Sequence, residues 1–188
     1  MRIITGKFKG RKLSSLDDST VRPATDRVKS TIFNMLQNRL RLGGADVLDL
    51  FAGSGNLGFE ALSRGAKQVV FVDDSNDVLN IVKKNAGHFN CLDMCNIIQI
   101  DAESFLEKTD KCFDLIFADP PYAYERTIEI PGKIFKKKLL TADGYLIIEH
   151  SKHTKFAESK LYKMEVQKEF GNTRVSFFIH PKEKGDEK

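Results

Sequence analysis

Residues 113–122 read Phe-Asp-Leu-Ile-Phe-Ala-Asp-Pro-Pro-Tyr, an apolar run that stops at an acid and two prolines. The run Phe113–Ala118 predicts a strand covered on both faces, as in a parallel α/β sheet. Asp119 then follows at the carboxyl end of the strand, where open α/β sheets bind ligands. Pro120 and Pro121 carry no backbone N–H, so this corner is rich in hydrogen-bond acceptors. It suits a substrate that presents N–H groups, such as the exocyclic amine of a base, with Tyr122 available for stacking.

Strands and helices alternate through most of the chain. We predict strands at 47–52, 68–72, 96–100, 113–118 and 144–149. Helices are predicted at 26–41, 57–64, 78–89 and 104–108, with a further helix beginning near residue 131. The first of them is expected to be capped by Thr25 or Asp26 and ended by Gly43 and Gly44. Residues 162–170 and 174–180 are typical of an antiparallel hairpin. Five strands separated by helices predict a mainly parallel sheet.

The charge is unevenly distributed. Residues 1–44 contain ten Lys or Arg and three Asp, a net +7, whereas the remainder carries −3. A basic segment on an acidic body indicates a polyanionic partner, although a merely solvated face would have the same composition. We divide the chain into a basic β-hairpin arm (1–21), an α/β domain (22–181) and a disordered tail (182–188).

Composition excludes several classes of protein. Hydrophobic residues make up 41% and charged residues 30% of the 188 residues, as in a globular protein. We recognise neither an apolar run of membrane-spanning length nor a signal peptide, so we expect a cytoplasmic protein. Three cysteines, Cys91, Cys95 and Cys112, cannot complete a zinc site and predict reduced thiols. His150 and His153 have no evident third ligand, so we expect no metal.

A glycine-rich loop follows the first predicted strand. Residues 53–58 match G-x-G-x-x-G between a strand and a helix, the context in which this pattern binds nucleotide cofactors. Asp73 lies 20 residues after Gly53, where a carboxylate can accept from ribose hydroxyls. An NAD-type dinucleotide is therefore one interpretation.

The acids at the strand ends favour a different cofactor. Asp49 lies just before the loop, where it would repel a pyrophosphate but attract an amino or sulfonium cation. Asp101 ends the third strand and can accept from an adenine amino group. S-adenosylmethionine carries both cations and an adenosyl group, so we favour it over NAD. Taken singly, Asp49 can be a solvated acid and Asp101 a helix cap.

A methyl donor beside the acceptor-rich corner suggests a mechanism. The exocyclic amine of a base is a weak nucleophile because its lone pair is delocalised. If Asp119 and the Pro120 carbonyl each accept one N–H, the amine is oriented and gains electron density for an in-line attack. A plain strand-end turn with a capping Asp is the alternative interpretation.

These motifs also resemble a known family. Residues 119–122 resemble motif IV of amino-group methyltransferases, and residues 49–55 resemble their motif I. Residues 2–6, 10–13, 22–28, 144–151 and 170–173 extend the resemblance over nearly the whole chain. They narrow it to the RsmD-type 16S ribosomal RNA guanine-N2 methyltransferases. The pair Lys29 and Ser30 departs from the family, which usually has Arg-Glu there.

The resemblance implies a Rossmann-like fold with a seven-stranded sheet and an antiparallel C-terminal strand. It implies methylation of the N2 amine of one guanine in 16S rRNA, in a small subunit or an assembly intermediate, with S-adenosylmethionine as donor. We expect a monomer that needs no metal and no membrane. The catalytic residues it implies are Asp119, Pro120, Pro121 and Tyr122. The expected cofactor-binding residues are Asp49, Phe51, Gly53, Ser54, Gly55, Asp73, Asp101 and Ala102.

The expected RNA-binding residues are cationic and lie near the amino terminus: Arg2, Lys7, Lys9, Arg11, Lys12, Arg22 and Arg27. Arg22 and Arg27 can alternatively brace the cofactor pocket. Three other functions remain open. An adenine-N6 methyltransferase shares the Asp-Pro-Pro-Tyr motif, an NAD-dependent oxidoreductase shares the glycine loop, and a non-catalytic RNA-binding module needs only the basic arm.

Overall fold

A computed structural model describes residues 1–15 and 23–181 of the chain, without the side chains of 23–25. The strands are β1 (Asp46–Asp49), β2 (Gln68–Asp73), β3 (Cys95–Gln99), β4 (Phe113–Ala118), β5 (Leu140–Ser151), β6 (Lys163–Phe170) and β7 (Thr173–Ile179). The α-helices are α1 (Pro23–Leu36), α2 (Asn56–Ser63), α3 (Asn76–Phe89), α4 (Ala102–Lys108) and α5 (Ile130–Lys136). The predicted tail lies outside the described residues.

The strands form one sheet in the order β3-β2-β1-β4-β5-β7-β6. Strands β1 to β5 run parallel, and β7 pairs antiparallel with both β5 and β6. The predicted sheet, with its reversed terminal strand, is therefore confirmed. The strand order reverses between β1 and β4, and such a switch point opens a crevice at the carboxyl ends of the two strands.

Helices cover both faces of this sheet. Helices α1, α2 and α3 pack with the amino-terminal segment on one face, and α4 and α5 pack on the other. Strand β4 illustrates the result, because Leu115 and Phe117 face the first layer while Ile116 and Ala118 face the second. All four side chains are buried, as a parallel strand between two helical layers requires.

The first helix, α1, begins and ends nearer the amino terminus than the sequence predicts. It begins at Pro23 and ends at Leu36, not at 26–41, so Asp26 lies in its first turn and Gly43 does not end it. Proline is well suited to the first helical turn. At the other end, the Arg39 guanidinium donates to the Met35 carbonyl at 2.9 Å and satisfies one free carbonyl of the last turn.

Other boundaries shift less, with two further exceptions. Strand β1 stops at Asp49 rather than at residue 52, because the chain turns there into the glycine loop. Strand β5 is longer than predicted and runs from Leu140 to Ser151. The other predicted elements occur within two residues of their predicted positions, and β4 has the predicted bounds.

The amino-terminal arm is a compact turn rather than a pair of strands. A single antiparallel bridge joins Arg2 and Lys12. The arm has no periodic pattern, yet Ile3, Phe8 and Leu13 are all buried in the first core layer. The arm is therefore part of the folded core along residues 1–15. The predicted boundary at residues 21 and 22 falls outside the described residues and stays a prediction.

Candidate active site

A small recess lies at the switch point of the sheet. Its volume is about 50 Å³, and it is lined by Val28, Lys29, Asp49, Phe51, Ala52, Asn56, Leu57, Asp119 and Glu149. The fold thus brings together Asp49 and Asp119, which are 70 residues apart in the chain. Since small-molecule pockets usually measure roughly 300–1,000 Å³, the recess alone is too small to enclose such a ligand.

Asp49 is the most deeply placed acid of the recess, only 2% exposed. Its carboxylate accepts a hydrogen bond from the Gly58 amide at 3.0 Å. Burial raises the pKa of Asp49 to about 8, and nearby Asp119 and Asp73 raise it further against the effect of that amide. Within the described chain Asp49 forms no ion pair, so a bound cation would relieve its desolvation.

The glycine loop connects Asp49 to the next strand end. Gly55 has φ +79°, and a Cβ there would approach the Phe59 ring to 2.6 Å. A Cβ at Gly58 would collide with the Phe71 ring, so α2 packs against β2 only because residue 58 is glycine. The loop therefore has the context that the glycine pattern predicted.

Asp73 holds this loop in place. Its carboxylate accepts from the Gly53 amide at 3.1 Å and from the Ser75 amide at 3.0 Å. Both carboxylate oxygens thus already have one protein donor, while each retains a further lone pair. The contact with ribose hydroxyls stays a prediction.

The remaining predicted cofactor residues lie in different surroundings. Phe51 lines the recess, and its ring meets Tyr124 edge-on at 5.2 Å. Asp101 caps α4 by accepting from the Ser104 amide at 2.9 Å, and it lies outside the recess. Its neighbour Ala102 is buried against the second core layer. The capping interpretation of Asp101 therefore accounts for the hydrogen bond of its carboxylate with the Ser104 amide.

The Asp-Pro-Pro-Tyr corner is short of donors, as expected. Water reaches Asp119, yet the recess walls surround it closely enough that desolvation raises its pKa to about 6. Among the described residues, neither the Asp119 carboxylate nor the Pro120 carbonyl has a hydrogen-bond donor. The Pro121 carbonyl accepts from the Tyr124 amide at 2.8 Å. Two adjacent acceptors are thus available to a substrate.

Tyr122 projects from this corner. Its side chain is 72% exposed, and its hydroxyl lies 2.5 Å from the hydroxyl of Thr173 at the start of β7. The hydroxyl contact holds the tip of the ring while the exposed ring remains available for stacking.

Glu149 is a recess residue that sequence reasoning missed. It lies on β5 beside Asp119, because Ala118 pairs in register with Ile148. Burial, together with Asp119, raises the pKa of Glu149 to about 8. Its signal in the sequence is the one that identified Asp49, an acid near the carboxyl end of an apolar strand.

Lys29 is the second missed residue of the recess. It is only 1% exposed, donates to the Arg2 carbonyl at 2.6 Å and to Asn56 Oδ1 at 2.7 Å, and pairs with Glu60 at 3.6 Å. Burial lowers the pKa of Lys29, and Glu60 opposes that shift. Lys29 therefore connects the arm to the start of α2.

Asn85 makes a parallel connection. It is 1% exposed, accepts from the Ser14 amide at 2.8 Å and donates to the Ser54 carbonyl at 3.0 Å. Ser54 belongs to the glycine loop, so two buried polar side chains tie the arm to this loop. Ser54 contributes its backbone carbonyl to this connection.

The predicted RNA-binding cations differ in how they are held. Lys7 lies over the Phe8 ring at 4.7 Å, and Arg11 lies over the Phe89 ring at 5.0 Å. Arg2 donates to the Gly10 carbonyl at 2.9 Å. The side chains of Lys9, Lys12 and Arg27 are exposed. Arg22 lies outside the described residues.

Neither a membrane-spanning helix nor a cluster of metal ligands is present in the described part of the chain. No helix in residues 1–15 and 23–181 combines the length and apolarity needed to cross a membrane. In the same part of the chain, no three His, Cys, Asp or Glu side chains cluster as metal ligands would.

Comparison with known proteins places the chain in a family. A family model described as conserved hypothetical protein 95 matches residues 1–179. YlbH of Bacillus subtilis (strain 168), provisionally named an rRNA methyltransferase, is 36% identical over 95% of this chain and 98% of its own length. Ribosomal RNA small subunit methyltransferase D of Haemophilus influenzae is 36% identical over 81% of this chain and 79% of its own length.

A solved structure agrees in fold. The protein yhhF of Escherichia coli, provisionally described as a methyltransferase, superposes with a TM-score of 0.84 at 28% identity, over 96% of this chain and 97% of its own. The mixed seven-stranded sheet is accordingly that of class I methyltransferases. The chain belongs to the family described as conserved hypothetical protein 95, which is the RsmD-type family that its motifs resemble.

Proposed function

We propose that this protein transfers a methyl group from S-adenosylmethionine to the exocyclic N2 amine of a guanine in 16S rRNA. The observation that carries the proposal is the pair of free acceptors at Asp119 and Pro120, beside the recess that holds Asp49. The relatives named as rRNA methyltransferases support the choice of substrate.

The residues of the crevice fit this cofactor. Asp49 is a buried carboxylate without an ion pair in the described chain, so it favours a ligand with an amino or sulfonium cation. A pyrophosphate would meet three acids, Asp49, Asp119 and Glu149, which line the same recess. When bound, S-adenosylmethionine supplies an electrophilic methyl group. This charge pattern disfavours the NAD interpretation.

The protein's own contribution is to orient the amine. Asp119 and the Pro120 carbonyl each accept one N–H, which leaves the nitrogen lone pair free to face the donor. These two hydrogen bonds also raise the electron density on nitrogen as the positive charge develops. The methylated ammonium is far more acidic than the amine, so a proton leaves nitrogen after the new bond has formed. Asp119 is placed to receive that proton.

Tyr122 holds the base by its flat face. Stacking of a base on an aromatic side chain contributes about 1–3 kcal/mol and depends little on the identity of the base. The contact between Tyr122 and Thr173 limits the motion of the ring before the base arrives. The ring is therefore a positioning element for a base taken out of its stack.

The arm provides the affinity for RNA. Its cations occupy the surface of the layer formed by α1, α2 and α3, and its backbone joins the recess through Lys29. Neutralisation of phosphates by such cations gives binding that is strong and salt-dependent. We place the reaction on an assembling or complete small subunit, in the cytoplasm, with one chain as the acting unit.

Transfer of a labelled methyl group tests the proposal. The protein is incubated with methyl-labelled S-adenosylmethionine and, separately, naked 16S rRNA, small ribosomal subunits lacking the modification, and duplex DNA. Nucleoside analysis should then find the label as N2-methylguanosine in the RNA of one or both ribosomal substrates. Label in N6-methyladenine would support the adenine enzyme instead.

A binding titration distinguishes the other classes. We expect S-adenosylhomocysteine to bind and NADH not to bind. Tight NADH binding without S-adenosylhomocysteine binding would indicate an oxidoreductase. Binding of RNA without any methyl transfer would indicate a non-catalytic module.

A further inference from the structure

Glu149 and Asp119 present two carboxylates side by side. Ala118 of β4 and Ile148 of β5 are paired in a parallel register, so the residue after each lies at the same sheet edge. Both side chains line the recess. Within the described chain, neither carboxylate accepts a hydrogen bond or forms an ion pair. The recess thus offers two adjacent acceptor groups with no protein donor.

The Watson–Crick edges of guanine and adenine differ in the hydrogen-bond donors that they offer to such a pair of carboxylates. Guanine presents N1–H next to the N2 amine, which are adjacent donors. Adenine presents its N6 amine next to N1, which is an acceptor when the base is neutral. Asp119 and Pro120 by themselves can hold either amine. A second acceptor beside them complements guanine alone.

We propose that Glu149 selects guanine by accepting the N1–H while Asp119 and the Pro120 carbonyl hold the N2 amine. This inference rests on the proposed function and adds the residue that determines the choice of base. Adenine in the same position would place its N1 lone pair against the Glu149 carboxylate, which is ionised above its pKa of about 8 and which an N1–H donor favours in that form. That contact loses a hydrogen bond and adds repulsion.

The surroundings of Glu149 make the discrimination strong. The carboxylate shares the recess with Asp119 and Asp49, so it is partly desolvated and adjacent to like charge. A desolvated acceptor left without its donor costs more than the same group in water. Sites built to hydrogen-bond a substrate N–H or O–H therefore reject analogues without it by large factors.

The test uses 2-aminopurine, which keeps the C2 amine of guanine but has an unprotonated N1. The target position is first mapped by labelled methyl transfer. A 16S rRNA is then prepared by ligation with guanine or 2-aminopurine at that position, in the naked or assembled form that transfer requires. Single-turnover rates are measured at about pH 8.5, where the Glu149 carboxyl group is largely ionised. The proteins are the wild type, Glu149→Gln, Glu149→Ala and the control Glu158→Gln, whose side chain is exposed in the segment after β5.

For the wild type we expect guanine to react at least 100-fold faster than 2-aminopurine. A glutamine amide can rotate to present either its carbonyl or its NH2 to N1. Glu149→Gln should therefore reduce the ratio of the two rates by at least tenfold, partly through faster transfer to 2-aminopurine. Glu149→Ala should lower the rate of methyl transfer to guanine and leave the rate of transfer to 2-aminopurine little changed. The control should keep the wild-type ratio.

Two kinds of failure are distinguishable. If the wild type methylates guanine and 2-aminopurine equally, or if Glu149→Gln keeps the wild-type ratio, the role of Glu149 is wrong while the proposed function stands. If the C2 amine of neither RNA is methylated, the proposed function itself fails. Binding of S-adenosylhomocysteine by each variant, measured in parallel, shows that the variant is folded. If Glu149→Ala is unfolded, the rate ratio of Glu149→Gln tests the role of Glu149.

Discussion

Charged side chains have opposite surroundings in the recess and on the arm. In the crevice, Asp49 is buried with one backbone donor, and Asp119 and Glu149 have none in the described chain. On the arm, Lys7 and Arg11 lie over aromatic rings, and their charged ends remain at the surface. The ionised form of these acids is destabilised until a proton, a cation or a hydrogen-bond donor arrives, whereas the cations of the arm are stable without a ligand.

This difference separates two tasks. Desolvated carboxylates without partners interact strongly with a ligand that carries a cation or N–H groups, which is what selection and chemistry require. Exposed cations interact weakly and over a distance with many phosphates, which is what affinity for RNA requires. The two regions meet at Lys29 and Asn85, whose buried hydrogen bonds join the arm to the glycine loop.

The largest effect is expected from breaking this connection. Lys29→Met removes the cation beside the buried carboxylate of Glu60 and leaves the Arg2 carbonyl without its donor. Removal of one partner from a buried ion pair typically costs about 3–5 kcal/mol. Arg64 still pairs with Glu60 at 2.8 Å, so we expect a loss of about 3 kcal/mol in the free energy of unfolding, measured by denaturant titration.

Binding of S-adenosylhomocysteine should weaken in the same variant, because Asn56 begins the helix that follows the glycine loop. Lys29→Arg is the matched control. It keeps the charge and should retain most of the stability and the cofactor affinity. Equal stability of Lys29→Met and the wild type would show that the connection does not hold the arm.

A second effect concerns the acid of the crevice. The folded-state pKa of Asp49, about 8, lies above that of an exposed Asp. Its contribution to stability is therefore complete below about pH 4 and declines as pH rises toward 8. Asp49→Asn keeps an acceptor for the Gly58 amide and removes this decline. We expect the variant to melt several degrees above the wild type at about pH 9 and to match it below about pH 4.

The same substitution should weaken the cofactor. S-adenosylhomocysteine carries an amino cation that a neutral side-chain amide at this position would not attract, so its affinity at about pH 8 should fall at least tenfold by calorimetry. A difference in melting temperature that is independent of pH would mean that Asp49 is ionised throughout this range. The pKa of Asp49 would then not be raised by burial, and the proposed difference between the recess and the arm would be wrong.

The smallest effect is expected on the arm. The exposed residues Lys9 and Lys12 can be replaced without disturbing an aromatic contact, unlike Arg11. The double variant Lys9→Gln, Lys12→Gln should bind 16S rRNA several-fold more weakly. Its slope of log affinity against log salt should decrease by about 0.7–0.9 for each lost phosphate contact.

The control for the arm lies on the other face of the sheet. Lys108→Gln, Lys136→Gln removes the same charge from α4 and α5, where both lysines are exposed. It should leave the salt slope unchanged. If both double variants reduce the slope equally, the affinity depends on net charge rather than on the arm.

Element bounds are predicted most accurately where an apolar run and the turn residues after it indicate the same boundary. Strand β4 has the predicted bounds because its apolar run ends in Asp-Pro-Pro, which no strand interior accommodates. The family and fold predictions are confirmed as well. The helix α1 was misplaced because Pro23, Asp26, Gly43 and Gly44 offer several plausible ends, and local signals do not rank them.

Other features depend on contacts that a linear pattern does not contain. Lys29 was not identified as a recess residue because lysine is almost never fully buried unless it is paired, and its partner Glu60 is 31 residues away. Asp101 illustrates the converse, since an acid after a strand is equally suited to a ligand and to a helix cap. Glu149 has the same sequence signal as Asp49, but its position beside Asp119 follows only from the pairing of β5 with β4.

Measuring both rate and affinity in two variants tests most directly whether methyl transfer and RNA affinity depend on different residues. The rate of single-turnover methyl transfer at saturating rRNA and the equilibrium affinity for rRNA are measured for Asp119→Ala and for Lys9→Gln, Lys12→Gln. We predict that Asp119→Ala loses at least about 100-fold in rate and keeps its affinities for rRNA and S-adenosylhomocysteine. The arm variant should keep the rate and lose affinity. Transfer that persists in Asp119→Ala, or a rate loss in the arm variant at saturation, would contradict the account.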